Sequence, residues 1–334
     1  MAAIESGAGA VIRIAGLTRR QWAALALVLG LAVAFLLPMV VTDYRSFQFT
    51  LVIIYAIALM GLNLLTGYNG QISIGHGAFY AIGAYTAAIM MDRWEIAYYW
   101  TLPAAGVVCL VSGFLFGLPA LRLEGLYLAL ATFALAVATP QILKYFDSWT
   151  GGVQGIVLFK PDPPFGLPLS QDQWLYYFSL AIALVMFWAA WNLIHSRIGR
   201  AIVAIRDHPI AAQTMGINAP LYKSMTFGVS ALYTGVAGAL GAIVVQFVAP
   251  DSFSVFLSIS FLVGAVVGGL ASFTGAIYGG LFVVFIPNIS EEISQAAPWA
   301  IYGAFLLVFM YVMPSGIAGF LRRIGAWIAR RNAS

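Results

Sequence analysis

The sequence GYNGQISIGHGAFYAIGAY (67–85) lies between two strongly apolar runs, yet it is rich in glycine and polar residues. A segment that only had to cross a bilayer would use leucine and isoleucine at this depth. Small residues instead recur at 4-4-3-4 spacing on a helix that we expect to begin near Gln71: Ser73, Gly77, Ala81, Ala84 and Ala88. Because helices in lipid associate through close packing, this spacing predicts a tight contact between helices.

Other apolar runs repeat the G-x-x-x-G spacing of such a contact. The pairs are Gly113 with Gly117, Gly264 with Gly268, and Gly275 with Gly279. We predict that these six glycines, together with Gly77, Ala81 and Ala84, serve helix packing. An interface with so few side chains also lets neighbouring helices slide or rock without large clashes.

The composition indicates an all-α polytopic membrane protein. Of 334 residues, 62% are hydrophobic and 8% are charged, against about 25% charged in soluble domains. A membrane helix needs about 20 mainly apolar residues, and ten runs are candidates: 22–41, 49–66, 72–91, 98–118, 123–142, 174–194, 224–248, 255–271, 275–289 and 298–313. The eighth and ninth are short enough to form one re-entrant element, so we expect about 10 helices, within roughly 9–11.

The basic residues predict the orientation of these spans. With the N-terminus in the cytoplasm, twelve fall on the cytoplasmic side: Arg13, Arg19, Arg20, Arg122, Arg197, Arg200, Arg206, Lys223, Arg322, Arg323, Arg330 and Arg331. Four fall outside: Arg45, Arg93, Lys144 and Lys160. By the positive-inside rule, this bias places both termini in the cytoplasm.

These spans divide the chain into a cytoplasmic N-terminal tail (1–21), a transmembrane domain (22–316) and a basic cytoplasmic C-terminal tail (317–334). Two polar segments interrupt the domain. Residues 143–173 lie outside and are rich in proline and glycine, which predicts an ordered loop or short plug. Residues 195–223 form the longest cytoplasmic loop between spans.

The spans lack the residues that several functions require. Nearly every Asp, Glu, Lys and Arg maps to a span end or loop, so proton or sodium coupling has no obvious carrier. No G-x-x-x-x-G-K-[ST] motif cradles phosphate, and three scattered histidines and one cysteine form no metal set. Ser73 and His76 have no G-x-S-x-G elbow and no third polar partner nearby, which argues against a membrane hydrolase. No basic face interleaved with aromatic residues points to nucleic acid. The function class that remains is a pore or carrier that draws its energy from another protein.

The cytoplasmic loop sequence SRIGRAIVAIRDHPIAAQTMGIN (196–218) predicts two short helices. The first covers about 198–206, with Ile198, Ile202 and Ile205 on one face. Asp207 or His208 would cap the second, and Gly216 would end it in a left-handed conformation. Two interpretations are open: a basic connector that faces lipid, or a docking helix that inserts into a groove of a motor subunit.

Polar residues gather at the predicted cytoplasmic ends of the second and third spans: Asn63, Asn69, Gln71, Ser73 and His76. For each one alone, a hydrogen bond between helices is favoured over contact with a substrate. As a group, they are candidates for the edge of a wetted translocation path or its inner gate. Tyr127 and Thr132 in the fifth span are separate path candidates, for which plain packing is the alternative.

Four stretches resemble one family. AAQTMG (211–216) is similar to the EAA-x3-G coupling motif of ABC importer permeases, with Ile210 in place of the glutamate. The loop 196–218 and the sequence GLNLLTGYNGQISIGHGAFYAIGAYTAA (61–88) resemble LivM-type permeases of the high-affinity branched-chain amino acid uptake system. So do RLEGLYLALATFALA (122–136) and TGGVQGI (150–156).

The resemblance implies an ABC importer permease fold in a bacterial inner membrane. It also implies four partner chains: a second, LivH-like permease, two cytoplasmic ATPases and, outside the membrane, a periplasmic binding protein. ATP would bind to the ATPases, so this chain needs no cofactor and has no catalytic site of its own. Carried over by position, the ATPase contact would consist of Arg197, Gly199, Arg200, Arg206, Asp207, Ala211, Ala212 and Gly216.

The cargo stays open at this point. Branched-chain amino acids come first, and urea, short amides, aromatic acids or a sugar are alternatives within ABC import. An ion-coupled secondary transporter is the alternative of another class, and it would need an ionisable residue at mid-span.

Overall fold

A computed structural model describes residues 13–14, 17–120, 123, 125–164, 168–293 and 298–331. Most of the predicted N-terminal tail (1–12 and 15–16), Arg122 and Glu124 of the 122–136 stretch, part of the proline-rich segment (165–167) and the last three residues of the C-terminal tail lie outside the described residues.

Helices make up most of the described chain. The α-helices are α1 (Arg19–Val40), α2 (Asp43–Leu62), α3 (His76–Trp94), α4 (Tyr98–Ala120), α5 (Leu126–Tyr145), α6 (Asp147–Thr150), α7 (Gln171–His195), α8 (Arg197–Asp207), α9 (Pro209–Thr214), α10 (Ala219–Val245), α11 (Val255–Gly268), α12 (Phe273–Ile293), α13 (Pro298–Val312) and α14 (Gly316–Arg331). A π-helix (Asn63–Tyr68) extends α2, and a 3₁₀ turn (Pro250–Phe253) precedes α11.

In the part of the chain that the structure describes, the strands form two short antiparallel pairs. β1 (Arg13–Ile14) pairs with β2 (Leu17–Thr18), and β3 (Ile156–Val157) pairs with β4 (Phe247–Val248). Neither pair forms a core sheet, so the predicted class, an all-α polytopic membrane protein, is confirmed.

Each of the ten predicted spans is a helix: α1 to α5, α7 and α10 to α13. Among the described residues, seven helices are long and apolar enough to cross a membrane by length and composition. Pro250–Gly268 and Phe273–Ile293 are two of these seven, which favours two separate spans over a single re-entrant element.

One local prediction was wrong. α3 begins at His76 rather than near Gln71, so Ser73 lies in an irregular segment before the helix. Within residues 143–173, the short elements α6 and β3 interrupt the loop. α14 occupies the whole described length of the predicted C-terminal tail.

α10 lies at the centre of the bundle, and its small residues bring α2, α3 and α4 close to it. Gly235 faces the side chain of Cys109 on α4 and also approaches Gly83 on α3, while Gly238 packs against the carbonyl of Tyr80. A Cβ at these glycines would collide with backbone or buried side-chain atoms. The glycine-rich sequence of α10 therefore sets the spacing of the core helices.

The two membrane faces of the bundle carry different structures. One face, called the α8–α9 face below, holds α8, α9 and the segment 69–75 between α2 and α3. The opposite face holds the β3–β4 pair and an ion pair between Lys144 Nζ and Asp251 Oδ1 (2.6 Å). α14 follows α13 by three residues and starts on the α8–α9 face.

Candidate coupling and gate site

α8 and α9 form a compact helical loop whose ends are set by local sequence. Ser196 caps α8, since its Oγ accepts hydrogen bonds from Ile198 N (3.1 Å) and Gly199 N (3.3 Å). Pro209 opens α9; His208 occupies the cap position, but its side chain makes no capping bond. Gly216 has φ +81°, the left-handed conformation expected at this position.

The apolar face of α8 is only partly as predicted. Ile202 and Ile205 are buried, whereas Ile198 is exposed. Ile205 packs with Ala212 of α9 and Ala219 of α10, so one small core joins the loop to the bundle. Ile198 lies two turns before Ile205 and does not belong to that core.

Six of the eight residues carried over as ATPase contacts are exposed: Arg197, Arg200, Arg206, Asp207, Ala211 and Gly216. Gly199 and Ala212 are buried, because Gly199 packs against the backbone of Ile194 and Ala212 lies in the loop core. Two apolar side chains that the prediction missed project from the same loop: Ile210 is 78% exposed and Met215 is 85% exposed. In the sequence, the isoleucine at position 210, where the coupling motif has a glutamate, was the feature that could have indicated an exposed apolar side chain.

Arg206 connects the loop to the transmembrane core. Its Nη1 donates a hydrogen bond to the carbonyl oxygen of Gly67 (2.9 Å) in the π-helix. Its Nη2 also lies 2.9 Å from Asp207 Oδ1, and its Cγ covers Gly70. The guanidinium is therefore held at the junction of α8 and the end of α2.

Asn63 connects the same π-helix to the turn between α11 and α12. Its Nδ2 donates to Ser272 O (2.8 Å), and its Oδ1 accepts from Ala271 N (2.6 Å). Gly67 lies so close to Ala271 that a Cβ would overlap the backbone nitrogen. π-Helices are rare and frequently occur at functional sites. This one carries a contact to α8 and a contact to the α11–α12 turn within five residues of chain.

His76 lies in a closed hydrogen-bond network that the sequence did not reveal. Ser230 Oγ donates to Gly61 O (2.6 Å), so it accepts from His76 Nε2 (2.6 Å), and His76 Nδ1 accepts from Ser73 Oγ (3.0 Å). Ser230 is therefore a third polar partner, which the sequence analysis did not foresee. All three side chains are buried and have bonded partners, which makes them a structural link between α2, α3 and α10.

The remaining path candidates divide into three groups. Thr132 is buried and accepts a hydrogen bond from Ile74 N (3.0 Å), which joins α5 to the segment before α3. Tyr127 is 70% exposed on α5 and does not join this cluster. Asn69 and Gln71 line a cavity of about 190 Å³ on the α8–α9 face, beside Arg206. Asn63, Ser73, His76 and Thr132 are absent from the lining of that cavity.

The glycines of the predicted packing contacts lie at close approaches within the chain. Gly77 donates its N–H to Ser258 Oγ (2.9 Å), and Gly113 faces Ala231. Gly117 lies against Ser224, and a Cβ there would lie 3.1 Å from the Ser224 Cα. The others join α11 to α12: Gly264 with Gly279, and Gly268 with Gly275. Ala81 and Ala84 are fully buried.

The bundle of apolar helices, with its tight glycine contacts and its projecting helical loop, is that of a multi-pass membrane protein. The chain matches the family model described as branched-chain amino acid transport system / permease component over residues 44–314, and it belongs to that family.

Named relatives agree with this family. The chain is 30% identical over 327 residues to the high-affinity branched-chain amino acid transport system permease protein LivM of Escherichia coli K12, covering 91% of this chain and 76% of that protein. It is 27% identical over 298 residues to LivH of Salmonella typhimurium, covering 79% and 91%. It is 24% identical over 284 residues to BraD of Pseudomonas aeruginosa, covering 79% and 91%.

Proposed function

We propose that this chain is one of two homologous permease subunits of an ABC importer that moves branched-chain amino acids, or related small polar solutes, across a bacterial inner membrane. LivM and LivH, two permeases named for one kind of transport system, both resemble this chain, which supports pairing with a second permease. ATP hydrolysis takes place on two separate cytoplasmic subunits, and a periplasmic protein delivers the cargo to the β3–β4 face.

The exposed apolar tip of the α8–α9 loop carries this proposal. Ile210 on α9 and Met215 directly after it are large exposed side chains, and α8 is tied to the bundle by Arg206 and by the packing of Ile205. Such a projection fits an apolar groove on a partner protein, and the exposed basic residues around it suit a polar rim. A lipid-facing connector would not need a bond from Arg206 into the core.

The same contacts suggest how a partner's movement reaches the membrane domain. A push on α8 acts on the carbonyl of Gly67 through Arg206. The π-helix transmits this displacement to Asn63, which is hydrogen-bonded to Ala271 and Ser272 in the turn between α11 and α12. The glycine contacts between α11 and α12 have few side chains, which suits movement of the two helices as a unit or a small sliding motion between them.

Asn69 and Gln71 line the cavity on the α8–α9 face, so we assign them to the inner gate. We assign Ser73, His76 and Thr132 to the hydrogen-bonded structure beside the gate, because their side chains are bonded to other residues of the chain. Selection among leucine-like and other small cargoes then rests mainly on the periplasmic binding protein.

Gentle purification of the chain from its native membrane, followed by mass spectrometry, tests the assembly. We expect a second, similar permease and two ATPases to copurify. An Ile210→Asp variant should lose the ATPases but keep the second permease, because a carboxylate cannot enter an apolar groove without a large desolvation cost. Recovery of the wild-type chain alone, or as a homo-oligomer without an ATPase, contradicts the proposal.

A further inference from the structure

α14 has one apolar face, which is packed against the bundle at the start of the helix and becomes exposed further along it. Ile317, Phe320, Leu321 and Ile324 recur at the spacing of a single helix face. Ile317 packs against a buried cluster that α11, α12 and α13 form with Val267, Phe282 and Tyr302. One and two turns later, Leu321 is 45% exposed and Ile324 is 39% exposed. The outer part of the apolar face thus has no cover within the described chain.

The charge of this segment has a single sign. Arg322 and Arg323 are exposed, and the sequence adds Arg330 and Arg331, whereas no Asp or Glu follows Glu292. Arg322 donates one hydrogen bond, from Nε to Ala318 O (3.3 Å). A guanidinium has five N–H donors, so this bond leaves most of the group available for an anion.

The position of α14 brings it to the surface of the membrane. It follows the span α13 after three residues, and Gly316, at φ +71°, turns the chain against Gly269 of the α11–α12 turn. α13 itself exposes Leu307, Val308 and Tyr311, as expected of a helix that faces lipid. A helix fixed at this level, with an apolar face and arginines, matches the pattern of helices that lie in the membrane interface.

We propose that α14 binds the anionic headgroups of the lipid leaflet on the α8–α9 face. Leu321 and Ile324 enter the boundary between headgroups and acyl chains, and Arg322 and Arg323 contact lipid phosphates. Each arginine near an anionic surface strengthens binding about fivefold, which corresponds to about 1 kcal/mol. Because α14 starts on the turn that Asn63 also holds, lipid charge acts on the same part of the bundle as the α8–α9 loop.

Cysteine labelling of the full-length chain in lipid nanodiscs tests this inference without any partner subunit. The only native cysteine, Cys109, is buried, so an Ile324→Cys variant reports on α14 through its reaction with an uncharged, water-soluble maleimide, whose concentration at the surface does not depend on lipid charge. We expect labelling to be several-fold slower in phosphatidylcholine with phosphatidylglycerol than in phosphatidylcholine alone. An Ile210→Cys variant, on the exposed α9, should label at the same rate in both lipids.

The arginines are tested in the same background. Arg322→Gln with Arg323→Gln should remove the effect of phosphatidylglycerol, while Arg322→Lys with Arg323→Lys should keep it. High salt should also remove the effect of phosphatidylglycerol while the native arginines are in place. This second measurement tests the proposal even if the glutamine variant does not fold. Equal labelling of the Ile324→Cys chain in both lipids overturns the proposal. So does a lipid effect that survives both the glutamine pair and high salt, because α14 would then be covered by hydrophobic contact or by a protein.

Discussion

Asn63 offers the sharpest test of the link between α2 and the α11–α12 turn. Replacing it by leucine keeps the size of the side chain but removes both hydrogen bonds, to Ser272 O (2.8 Å) and from Ala271 N (2.6 Å). Asn63 and Ser272 are buried, so the carbonyl oxygen of Ser272 loses its partner without gaining water, whereas Ala271 is half-buried. At about 1–3 kcal/mol for the unpaired carbonyl and about 0.5–1.5 kcal/mol for the lost bond of Ala271 N, we expect Asn63→Leu to destabilise the chain by roughly 1.5–4.5 kcal/mol.

Thr50→Val is a matched control in the same helix. Thr50 is also buried, but its Oγ1 donates only to Ser46 O (2.8 Å), one turn earlier in α2. Its removal should cost about 0.5–1.5 kcal/mol. The comparison is made by thermal unfolding of both variants in one detergent, followed by size-exclusion fluorescence. Asn63→Leu should unfold several degrees below Thr50→Val. Equal unfolding temperatures would show that the hydrogen bonds of Asn63 to the α11–α12 turn do not stabilise the fold.

Three further predictions concern the loop and the packing contacts. Arg206→Glu should leave the chain in the membrane but abolish uptake, because a carboxylate repels the carbonyl of Gly67; normal uptake in cells would remove this role. Met215→Asp should weaken copurification of the ATPases about 10-fold or more, given about 1.5–3 kcal/mol for a buried apolar side chain, and unchanged recovery would count against the docking tip. Gly77→Leu should reduce the yield of folded chain, since its side chain would enter the space of Ser258; wild-type yield and melting would refute the close contact.

The sequence predicted the spans well because their signal is strong and local. Runs of about 20 apolar residues, ended by charged or glycine-rich segments, gave ten helices at nearly the observed positions. The α8–α9 loop was also predictable, because Pro209 and Gly216 mark its turns directly in the chain.

The connections between distant segments were not predictable in this way. Asn63 and Ser272 lie 209 residues apart, and His76 and Ser230 lie 154 residues apart, so no local pattern pairs them. Without Ser230, the pair Ser73 and His76 had no third partner. With it, the histidine becomes part of a closed structural network.

The start of α3 at His76 and the helical conformation of the C-terminal segment both have local reasons. Ser73 accepts a hydrogen bond from Gly75 N (3.3 Å), and Ile74 N donates to Thr132, so the segment before His76 satisfies its backbone outside a helix. The segment of α14 was predicted only as part of a basic tail, although apolar residues recur at helical spacing among its arginines and favour a helix.

The central claim is that ATP-driven partners move this permease through the α8–α9 loop. The most direct measurement is uptake of radiolabelled leucine by liposomes that contain the copurified assembly and the binding protein, with ionophores present to collapse all ion gradients. We predict uptake that requires ATP on the α8–α9 side and that is lost in Arg206→Glu, although the ATPases remain active in solution. Uptake that needs an ion gradient and no ATP, or that is unchanged in Arg206→Glu, would contradict this account.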